Sequence, residues 1–314
     1  MKVLITDGLE AEAVAALRAA HVVDVADLDA KQLLEAISRY EALIVRSRTK
    51  VTKEVLGRAG ALKVVGRSGV GVDNIDVKEA TARKVLVVNA PTASSVSVAE
   101  LAIGHMLNLY RHLAEADRSM KEGKWEKKRF EGRELAGKTL GLVGSGRIGA
   151  EVACRAIAFG MRVISYDPYL PPEAAAKTGF ALVEKERLLQ EADVVSVHAA
   201  LTPETIGLLG PRELSLMKRT AVLVNCARGE IVQEGALAEA LRAGAIAGAA
   251  LDVYEKEPPA GSPILTAPNA VLTPHLGAST HEAQARAGAI IVDQVLKALA
   301  GARPEFLVNP DAYG

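Results

Sequence analysis

Residues 139–167 read TLGLVGSGRIGAEVACRAIAFGMRVISYD, and the order of elements within this stretch indicates the fold class. It opens with a short apolar run that predicts a β-strand, passes through the glycine turn GSGRIG at 144–149, and continues into a helix-compatible segment. A second apolar run follows and ends on Asp167. This succession of strand, glycine turn, helix, strand and acid predicts a βαβ unit that binds a dinucleotide.

The residues of the glycine turn each have a physical role in holding a pyrophosphate. Gly144 allows the tight turn, Gly146 lacks the Cβ that would keep the backbone from the ligand, and Gly149 lets helix and strand pack closely. Arg147 and Ile148 lie at the start of the helix, where free backbone N–H groups favour an anion. A GxGxxG hexapeptide alone also fits an ordinary turn, and it is the flanking elements that favour the dinucleotide site.

Asp167 predicts which dinucleotide is bound. It lies about 18 residues after Gly149, close to the roughly 20 expected for an acid that hydrogen-bonds the adenosine ribose hydroxyls. A carboxylate there repels the 2′-phosphate of NADP, and the following Pro168-Tyr169 supplies no compensating cation. The predicted cofactor is therefore NAD.

The composition is that of an ordinary globular protein and excludes several functional classes. A chain of 314 residues is long for one core and predicts two domains. Acidic and basic residues balance at 38 each, which argues against the broad basic field of a nucleic-acid-binding protein. Cys154 and Cys226 lack metal-ligand spacing and are interpreted as free thiols, so no metal site is predicted. Because neither a signal peptide nor a membrane-length apolar run is found, we expect a cytoplasmic protein with no membrane partner.

Alternating apolar and helical segments predict a doubly wound parallel α/β sheet in each half of the chain. Residues 1–90 contain five apolar runs at a pitch of about 20 residues, with helical patterns between them. Strands separated by helical crossovers must be parallel, and such sheets are covered on both faces. After Asp167 the alternation resumes and predicts a second sheet of six or more strands. Two long helices are expected, at 94–110 and 280–300.

Two loops of the first sheet are candidates for binding an anionic ligand. They are RSRTK at 46–50 and RSGVGVD at 67–73, and each follows a predicted strand. Ligands of open α/β sheets bind outside the carboxyl ends of the strands. Arginine forks pair with carboxylate or phosphate, and glycines let backbone N–H groups point at an anion. A solvated basic turn and an ordinary glycine turn remain alternatives for the two loops.

Three motifs in the second sheet carry residues suited to hydride transfer at a carbon that bears oxygen. They are NCARG at 225–229, LDVYEKEP at 251–258 and TPHLG at 273–277, each placed where a parallel strand would end. A histidine is suited to take the hydroxyl proton, a carboxylate beside it orients the ring, and an arginine holds the substrate carboxylate. His275, Glu257 and Arg228 fill these roles. Taken singly, each residue also fits a surface or capping role.

A charged stretch at 120–135 contains the single tryptophan, Trp125. An aromatic anchor buried within such a stretch predicts a surface excursion or a subunit contact, and a solvated loop is the alternative.

Together these motifs resemble the NAD-dependent D-2-hydroxyacid dehydrogenase family along essentially the whole chain. The likeness rests on the glycine turn, on GVGVD at 69–73 and on the three motifs of the second sheet. It is strengthened by VRS at 45–47, GVDNID at 71–76, GKWE at 123–126 and PHLGAST at 274–280. The resemblance implies that Arg228, Glu257 and His275 form the catalytic set.

The same resemblance implies further contacts and a domain arrangement. Its expected cofactor contacts, besides the glycine turn and Asp167, are His198, Thr202, Cys226, Ala227, Asp252 at the nicotinamide amide, His275 and Gly277. Its expected substrate contacts are Arg46, Ser47, Ser68, Gly69, Val70, Arg228 and His275. It implies a Rossmann-type NAD-binding domain, residues 93–281, inserted into a smaller flavodoxin-like substrate-binding domain formed by 1–92 and 282–314.

The expected activity is oxidation of D-3-phosphoglycerate to 3-phosphohydroxypyruvate with NAD, a step of serine biosynthesis. Arg46, Arg48 and Lys50 are candidates for the phosphate, as are Lys127, Lys128 and Arg129 of a neighbouring subunit in a homodimer or homotetramer. A glyoxylate or hydroxypyruvate reductase is the alternative within the family, and an NADH-sensing corepressor-like protein is the alternative outside catalysis. Relatives with a C-terminal serine-sensing domain extend beyond Gly314, so feedback by that route is not expected.

Overall fold

The computed structural model of the chain describes residues 1–171, 173 and 179–313. The chain divides into two compact units. The first is discontinuous and comprises Met1–Ser94 with Ala278–Gly314, and the second is Ser95–Gly277. Each unit is built on a parallel sheet with helices, as the alternating pattern predicts.

The first unit has a parallel sheet in the order β2-β1-β3-β4-β5 within the described residues. This is the flavodoxin-like strand order, in which the ligand crevice opens where neighbouring connections leave in opposite directions. Its strands are β1 (Lys2–Ile5), β2 (Val22–Val25), β3 (Ala42–Val45), β4 (Val64–Arg67) and β5 (Leu86–Asn89). Its helices between strands are α1 (Ala11–Arg18), α2 (Ala30–Ala36), α3 (Lys53–Arg58) and α4 (Val77–Ala82).

Side-chain caps define where helices α2, α3 and α4 begin. The Asp29 carboxylate accepts from the Gln32 N–H, and the Gln32 side-chain oxygen accepts from the Asp29 N–H, which forms a capping box at α2. Thr52 and Asp76 cap α3 and α4 in the same manner, each accepting from the backbone N–H three residues on. The connections are therefore short and set by local sequence.

The second unit has a larger parallel sheet, with the described strands in the order β12-β11-β10-β9-β6-β7-β8. The chain enters this sheet at β6, winds first to one side through β7 and then, through β9, to the other, as in a Rossmann fold. The strands are β6 (Thr139–Val143), β7 (Arg162–Tyr166), β8 (Ala181–Leu182), β9 (Val194–Val197), β10 (Val222–Asn225), β11 (Gly248–Leu251) and β12 (Ala270–Leu272). The helices are α5 (Ser95–Arg111), α6 (Leu113–Lys121), α7 (Arg147–Ala158), α8 (Lys185–Glu191), α9 (Pro211–Leu216) and α10 (Glu234–Arg242).

Apolar clusters cover both faces of each sheet. In the second unit one cluster includes Leu140 with Met106 of α5, and another includes Leu223 with Leu237 of α10. The chain then returns to the first unit through α11 (His281–Leu299), whose Ile291 and Val295 pack on the first sheet. The predicted fold class, a Rossmann-type sheet inserted into a smaller flavodoxin-like unit, is confirmed.

The charged stretch at 120–135 differs from the expectation of a buried anchor. Trp125 is 80% exposed, and Leu113 and Met120 of α6 are exposed as well. The stretch begins with the end of α6, a helix that the sequence did not predict. In the part of the chain that the structure describes, no helix has both the length and the apolarity to cross a membrane.

Candidate active site

The predicted site residues of the second unit lie at one edge of its sheet. Because the strands are parallel, their carboxyl ends meet at the same edge. Gly144 follows β6 and Asp167 follows β7, while Cys226, Ala227 and Arg228 follow β10. His198 and Thr202 follow β9, Asp252 follows β11, and His275 and Gly277 follow β12. The topology thus gathers residues that are more than 100 positions apart in the chain.

A direct hydrogen bond joins two of the predicted catalytic residues. Nδ1 of His275 lies 2.8 Å from Oε2 of Glu257. Burial raises the pKa of Glu257, but the His275 hydrogen bond and charge, with the Tyr254 N–H and the Arg228 charge, outweigh it and lower that pKa overall. An ionised carboxylate only accepts hydrogen bonds, so Nδ1 carries the proton and Nε2 is left to act on a substrate.

Arg228 lies within electrostatic reach of this pair. Its charge is one of the influences that lower the Glu257 pKa, and its guanidinium also donates to the Ala227 carbonyl at 2.7 Å. The neighbouring Gly229 allows the two loops to approach, because a Cβ there would lie 1.9 Å from the Tyr254 carbonyl carbon. Arg228, Glu257 and His275 are therefore brought together within the second unit.

The glycine turn has the form that a dinucleotide requires. Gly144 has a φ of +87° and turns tightly against the backbone of Ala199, where a side chain has no room. A Cβ on Gly146 would meet no atom of the described residues within 4 Å, so they leave open space where a pyrophosphate would approach. Helix α7 begins directly after Gly146 without a side-chain cap, which leaves its first N–H groups for an anion. These features fit NAD.

Asp167 lies at the end of β7, where the predicted ribose contact requires an acid. Its carboxylate accepts from the Ser145 N–H at 2.8 Å and the Ser145 hydroxyl at 3.1 Å, both on the glycine turn, and from the Tyr169 N–H at 3.0 Å. These bonds orient the Asp167 carboxylate beside the glycine turn. A residue that hydrogen-bonds the adenosine ribose needs this position.

Replacing Asp167 with asparagine is expected to weaken the preference for NAD over NADP. The change removes the negative charge that repels a 2′-phosphate and weakens acceptance from the ribose hydroxyls. We expect the ratio of kcat/KM with NAD to kcat/KM with NADP to fall about 10- to 100-fold, the effect of one or two charged hydrogen bonds. Initial rates with both cofactors measure this ratio, and an unchanged ratio would contradict the role of Asp167.

Asp252 is buried and holds the loop that carries His275. Its carboxylate accepts from the Thr273 hydroxyl at 2.6 Å, the Leu276 N–H at 2.7 Å and the Gly277 N–H at 2.8 Å. His275 itself has a φ of +54°, a left-handed conformation that is uncommon for a histidine and needs such support. A carboxylate has about four acceptor positions, so one remains for the predicted nicotinamide amide contact.

His198 is held as a neutral imidazole. Its Nε2 lies 2.8 Å from the Ser196 hydroxyl, and its Nδ1 is buried with no hydrogen-bond partner among the described residues. Burial lowers the pKa of His198 to about 4. Thr202 lies four residues further, in a turn where its N–H donates to the Thr205 hydroxyl at 2.8 Å.

The buried Nδ1 of the partly exposed His198 predicts a loss of stability in mild acid. Below its ordinary pKa of about 6.5 the unfolded chain binds a proton at this side chain while the folded chain does not, until the pH reaches about 4. The free energy of unfolding should therefore fall by about 2 kcal/mol between pH 8 and pH 5 from this group alone. Urea unfolding of the wild type and His198→Gln at both pH values tests this, and equal pH dependence in the two proteins would contradict it.

The substrate contacts predicted in the first unit lie at the carboxyl edge of its own sheet. Arg46, Ser47 and Arg48 follow β3, and Ser68, Gly69 and Val70 follow β4. Arg48 is engaged by carboxylates, because its guanidinium pairs with Asp7 at 3.2 Å and with Asp27. The Arg46 backbone donates to Asp7 at 2.7 Å, and no bond from the Arg46 side chain is seen in the described part of the chain.

Several residues that shape these loops were not predicted from the sequence. Asn74 donates from its side chain to the carbonyls of Arg46 and Thr49 at 2.8 and 2.7 Å, and Asp7 accepts from the same loop. Glu234 binds the segment that carries Glu257. The only sequence signal was a polar residue directly after a strand or at the start of a helix, which is also typical of the surface.

A protein-family model and individual relatives place this chain in the same family. The protein-family model described as D-isomer specific 2-hydroxyacid dehydrogenase, NAD binding domain, matches residues 103–277 of this chain. The D-3-phosphoglycerate dehydrogenase of Methanocaldococcus jannaschii is 50% identical over 311 residues, 98% of this chain and 59% of the relative. The chain thus spans about three fifths of the length of that relative.

Solved structures resemble the whole chain. The TT0316 protein from Thermus thermophilus is 39% identical with a TM-score of 0.91, covering 98% of this chain and 100% of that one. A glyoxylate reductase from Paecilomyes thermophila is 31% identical with a TM-score of 0.90, covering 99% of this chain and 98% of that one.

Proposed function

The chain belongs to the D-isomer specific 2-hydroxyacid dehydrogenase family, and on that basis we propose that it is an NAD-dependent D-3-phosphoglycerate dehydrogenase. The observation that carries the proposal is the 2.8 Å bond between Glu257 and His275 beside Arg228, at the same edge of the sheet as the glycine turn. The substrate is proposed from relatives of that name at 45–50% identity. The unit Ser95–Gly277 is proposed to bind NAD, and the other unit to bind substrate.

In this proposal His275 is the general base. Its Nε2 takes the hydroxyl proton of D-3-phosphoglycerate, while Glu257 orients the ring and stabilises the imidazolium that forms. NAD, when bound, accepts the hydride from C2, so the products are 3-phosphohydroxypyruvate, NADH and one proton. The reverse reaction uses the same imidazolium as the acid.

Arg228 is proposed to bind the substrate carboxylate and the C2 oxygen. A guanidinium presents its donors in a planar fork that matches a carboxylate, and its charge favours the partial negative charge on oxygen as the carbonyl forms. Gly229, the residue directly after Arg228, packs on the Tyr254–Glu255 backbone. This contact keeps the Arg228 guanidinium near Glu257. The loop that carries His275 is supported by hydrogen bonds from Thr273 and Gly277 to Asp252.

Initial rates of NADH production across hydroxy acids with and without a phosphate test the substrate. We expect D-3-phosphoglycerate to be preferred over D-glycerate. The second candidate is a glyoxylate or hydroxypyruvate reductase, favoured by the structural likeness to the Paecilomyes thermophila enzyme. Preference for the unphosphorylated acids would select that candidate. The absence of turnover with any hydroxy acid, despite NADH binding, would select the corepressor-like binding protein instead.

Replacing Arg46 with alanine is expected to raise the KM for D-3-phosphoglycerate about 10- to 100-fold, because a phosphate loses one charged hydrogen-bonding partner. Replacing Arg48 with alanine should raise this KM less, because Asp7 and Asp27 already neutralise the Arg48 guanidinium. The KM for D-glycerate in the same variant is the matched control, and it should change little. Equal changes in both KM values would show that Arg46 does not bind the phosphate.

Assembly and location complete the proposal. The exposed Trp125, Leu113 and Met120 support a homodimer or homotetramer formed through the second unit. Lys127 and Lys128 carry no ion pair in the described chain, whereas Arg129 pairs with Glu126 at 3.0 Å, so the two lysines are the stronger candidates for a neighbour's phosphate site. Light scattering measures the assembly state. A cytoplasmic location is proposed from the metabolic role of the family.

A further inference from the structure

Glu234 is a buried acid at the first position of helix α10, outside the predicted catalytic set. Its side chain is 6% exposed, and both carboxylate oxygens are satisfied by uncharged donors. Oε1 accepts from the Glu255 N–H at 2.5 Å, and Oε2 accepts from the Ser262 hydroxyl. No cation pairs with it among the described residues. Burying a carboxylate in this way is costly, so its presence here points to a role that an apolar residue would not serve.

The partners of Glu234 are the two ends of one segment, residues 255–262, which we call the glutamate segment. Glu255 begins it and Ser262 ends it, so one carboxylate holds both ends. The Glu255 side chain returns a contact by accepting from the Glu234 N–H at 2.8 Å, at the positive end of the helix dipole. The segment is thereby fixed to α10 at three points.

Glu257 lies inside the glutamate segment, two residues after the first anchor. Its Oε1 accepts from the Tyr254 N–H at 3.3 Å, and its Oε2 faces Nδ1 of His275 at 2.8 Å. The Glu257 side chain is 40% exposed, so little packing of its own holds it in this position. Its alignment with His275 depends on where the backbone of the segment is held.

We infer that Glu234 is a positioning residue for hydride transfer, because its carboxylate holds the glutamate segment so that Glu257 stays aligned with His275. The inference rests on the proposed catalytic role of Glu257. Catalytic groups need neighbouring residues that hold them in the reactive geometry, and a buried acid at the start of α10 provides that support here. Glu234 touches neither Glu257 nor His275 and acts only through the backbone between them.

The test is a double-mutant cycle read as kcat for D-3-phosphoglycerate oxidation. Glu234→Ala should lower kcat about 10- to 100-fold, the cost of a small misplacement of a reacting group, with the KM for NAD unchanged. Glu234→Gln should restore most of kcat, since its amide oxygen still accepts from Glu255. In the Glu257→Gln background, Glu234→Ala should cost little more, because the group it aligns is already lost. Glu239→Ala, an exposed acid on the same helix, is the control and should leave kcat unchanged.

The outcomes separate the inference from the proposed function. A fall in kcat that is equally large with Glu257 and with Glu257→Gln would overturn the inference, as would an unchanged kcat in Glu234→Ala. An unchanged kcat in Glu257→Gln alone would overturn the proposed role of Glu257 itself, and the inference with it. If Glu234→Ala does not fold, Ser262→Ala decides, because it removes one anchor only. A kcat fall in Ser262→Ala that disappears in Glu257→Gln supports the inference, and an unchanged kcat overturns it.

Discussion

Replacing His275 with alanine is expected to lower kcat for the proposed oxidation of D-3-phosphoglycerate by about 10²- to 10⁴-fold, the contribution of a well-placed general base. The hydroxyl proton then has no acceptor held beside it, and the Glu257 carboxylate loses the ring that it orients at 2.8 Å. The KM for NAD should change little, because the glycine turn and Asp167 are untouched. Steady-state rates with NADH absorbance as the readout measure both quantities.

His281→Ala is the control for that experiment. His281 is an exposed histidine at the first position of α11, six residues after His275, and its loss should leave kcat unchanged. Glu257→Gln should give a smaller fall than His275→Ala, because the base remains but loses its orienting partner. A His275→Ala enzyme that binds NADH and turns over at the wild-type rate would show that another group accepts the proton.

The sequence was sufficient to predict the fold because the decisive signals are local. The strand before Gly144, the helix after it and the acid at Asp167 lie within 29 consecutive residues, and each element has its own apolar pattern. Two elements that it did not predict have weak patterns. Helix α6 is highly charged and buries only Ser119, and β8 is a two-residue strand at the sheet edge. Neither element carries an apolar stripe long enough to predict a helix or a strand.

The residues that support the candidate site were harder to predict, because their partners are distant in sequence. The position of Arg48 after a strand predicts a phosphate ligand, whereas Asp7 and Asp27, 41 and 21 positions away, already hold its guanidinium. Glu234 has the sequence context of an ordinary helix-start acid, and its burial depends on Glu255 and Ser262. Such pairings are set by tertiary structure, which a single sequence does not display.

Replacing Gly229 with alanine is expected to lower both stability and activity. The added Cβ would lie 1.9 Å from the carbonyl carbon and 2.1 Å from the carbonyl oxygen of Tyr254, and 2.4 Å from the Glu255 nitrogen. These are backbone atoms, which cannot rotate away as a side-chain end does, so one of the two loops must move. Overpacking of this kind costs about 1–3 kcal/mol in the free energy of unfolding, and occasionally more. Because Arg228 precedes Gly229 and Glu257 follows Glu255, the displacement should also lower kcat/KM by about 100-fold or more.

Gly235→Ala provides a matched control with the opposite expected sign. Gly235 lies in α10, six residues after Gly229, and in the part of the chain that the structure describes a Cβ there would meet no atom within 4 Å. Alanine is favoured over glycine in a helix by about 1 kcal/mol, so this variant should be as stable as the wild type or more stable, with unchanged kcat/KM. Urea unfolding and initial rates on both variants separate a general cost of adding a methyl group from the specific contact between the Arg228 and Glu257 loops. If Gly229→Ala proved as stable and as active as Gly235→Ala, those loops would not need the close approach that brings the arginine to the carboxylate.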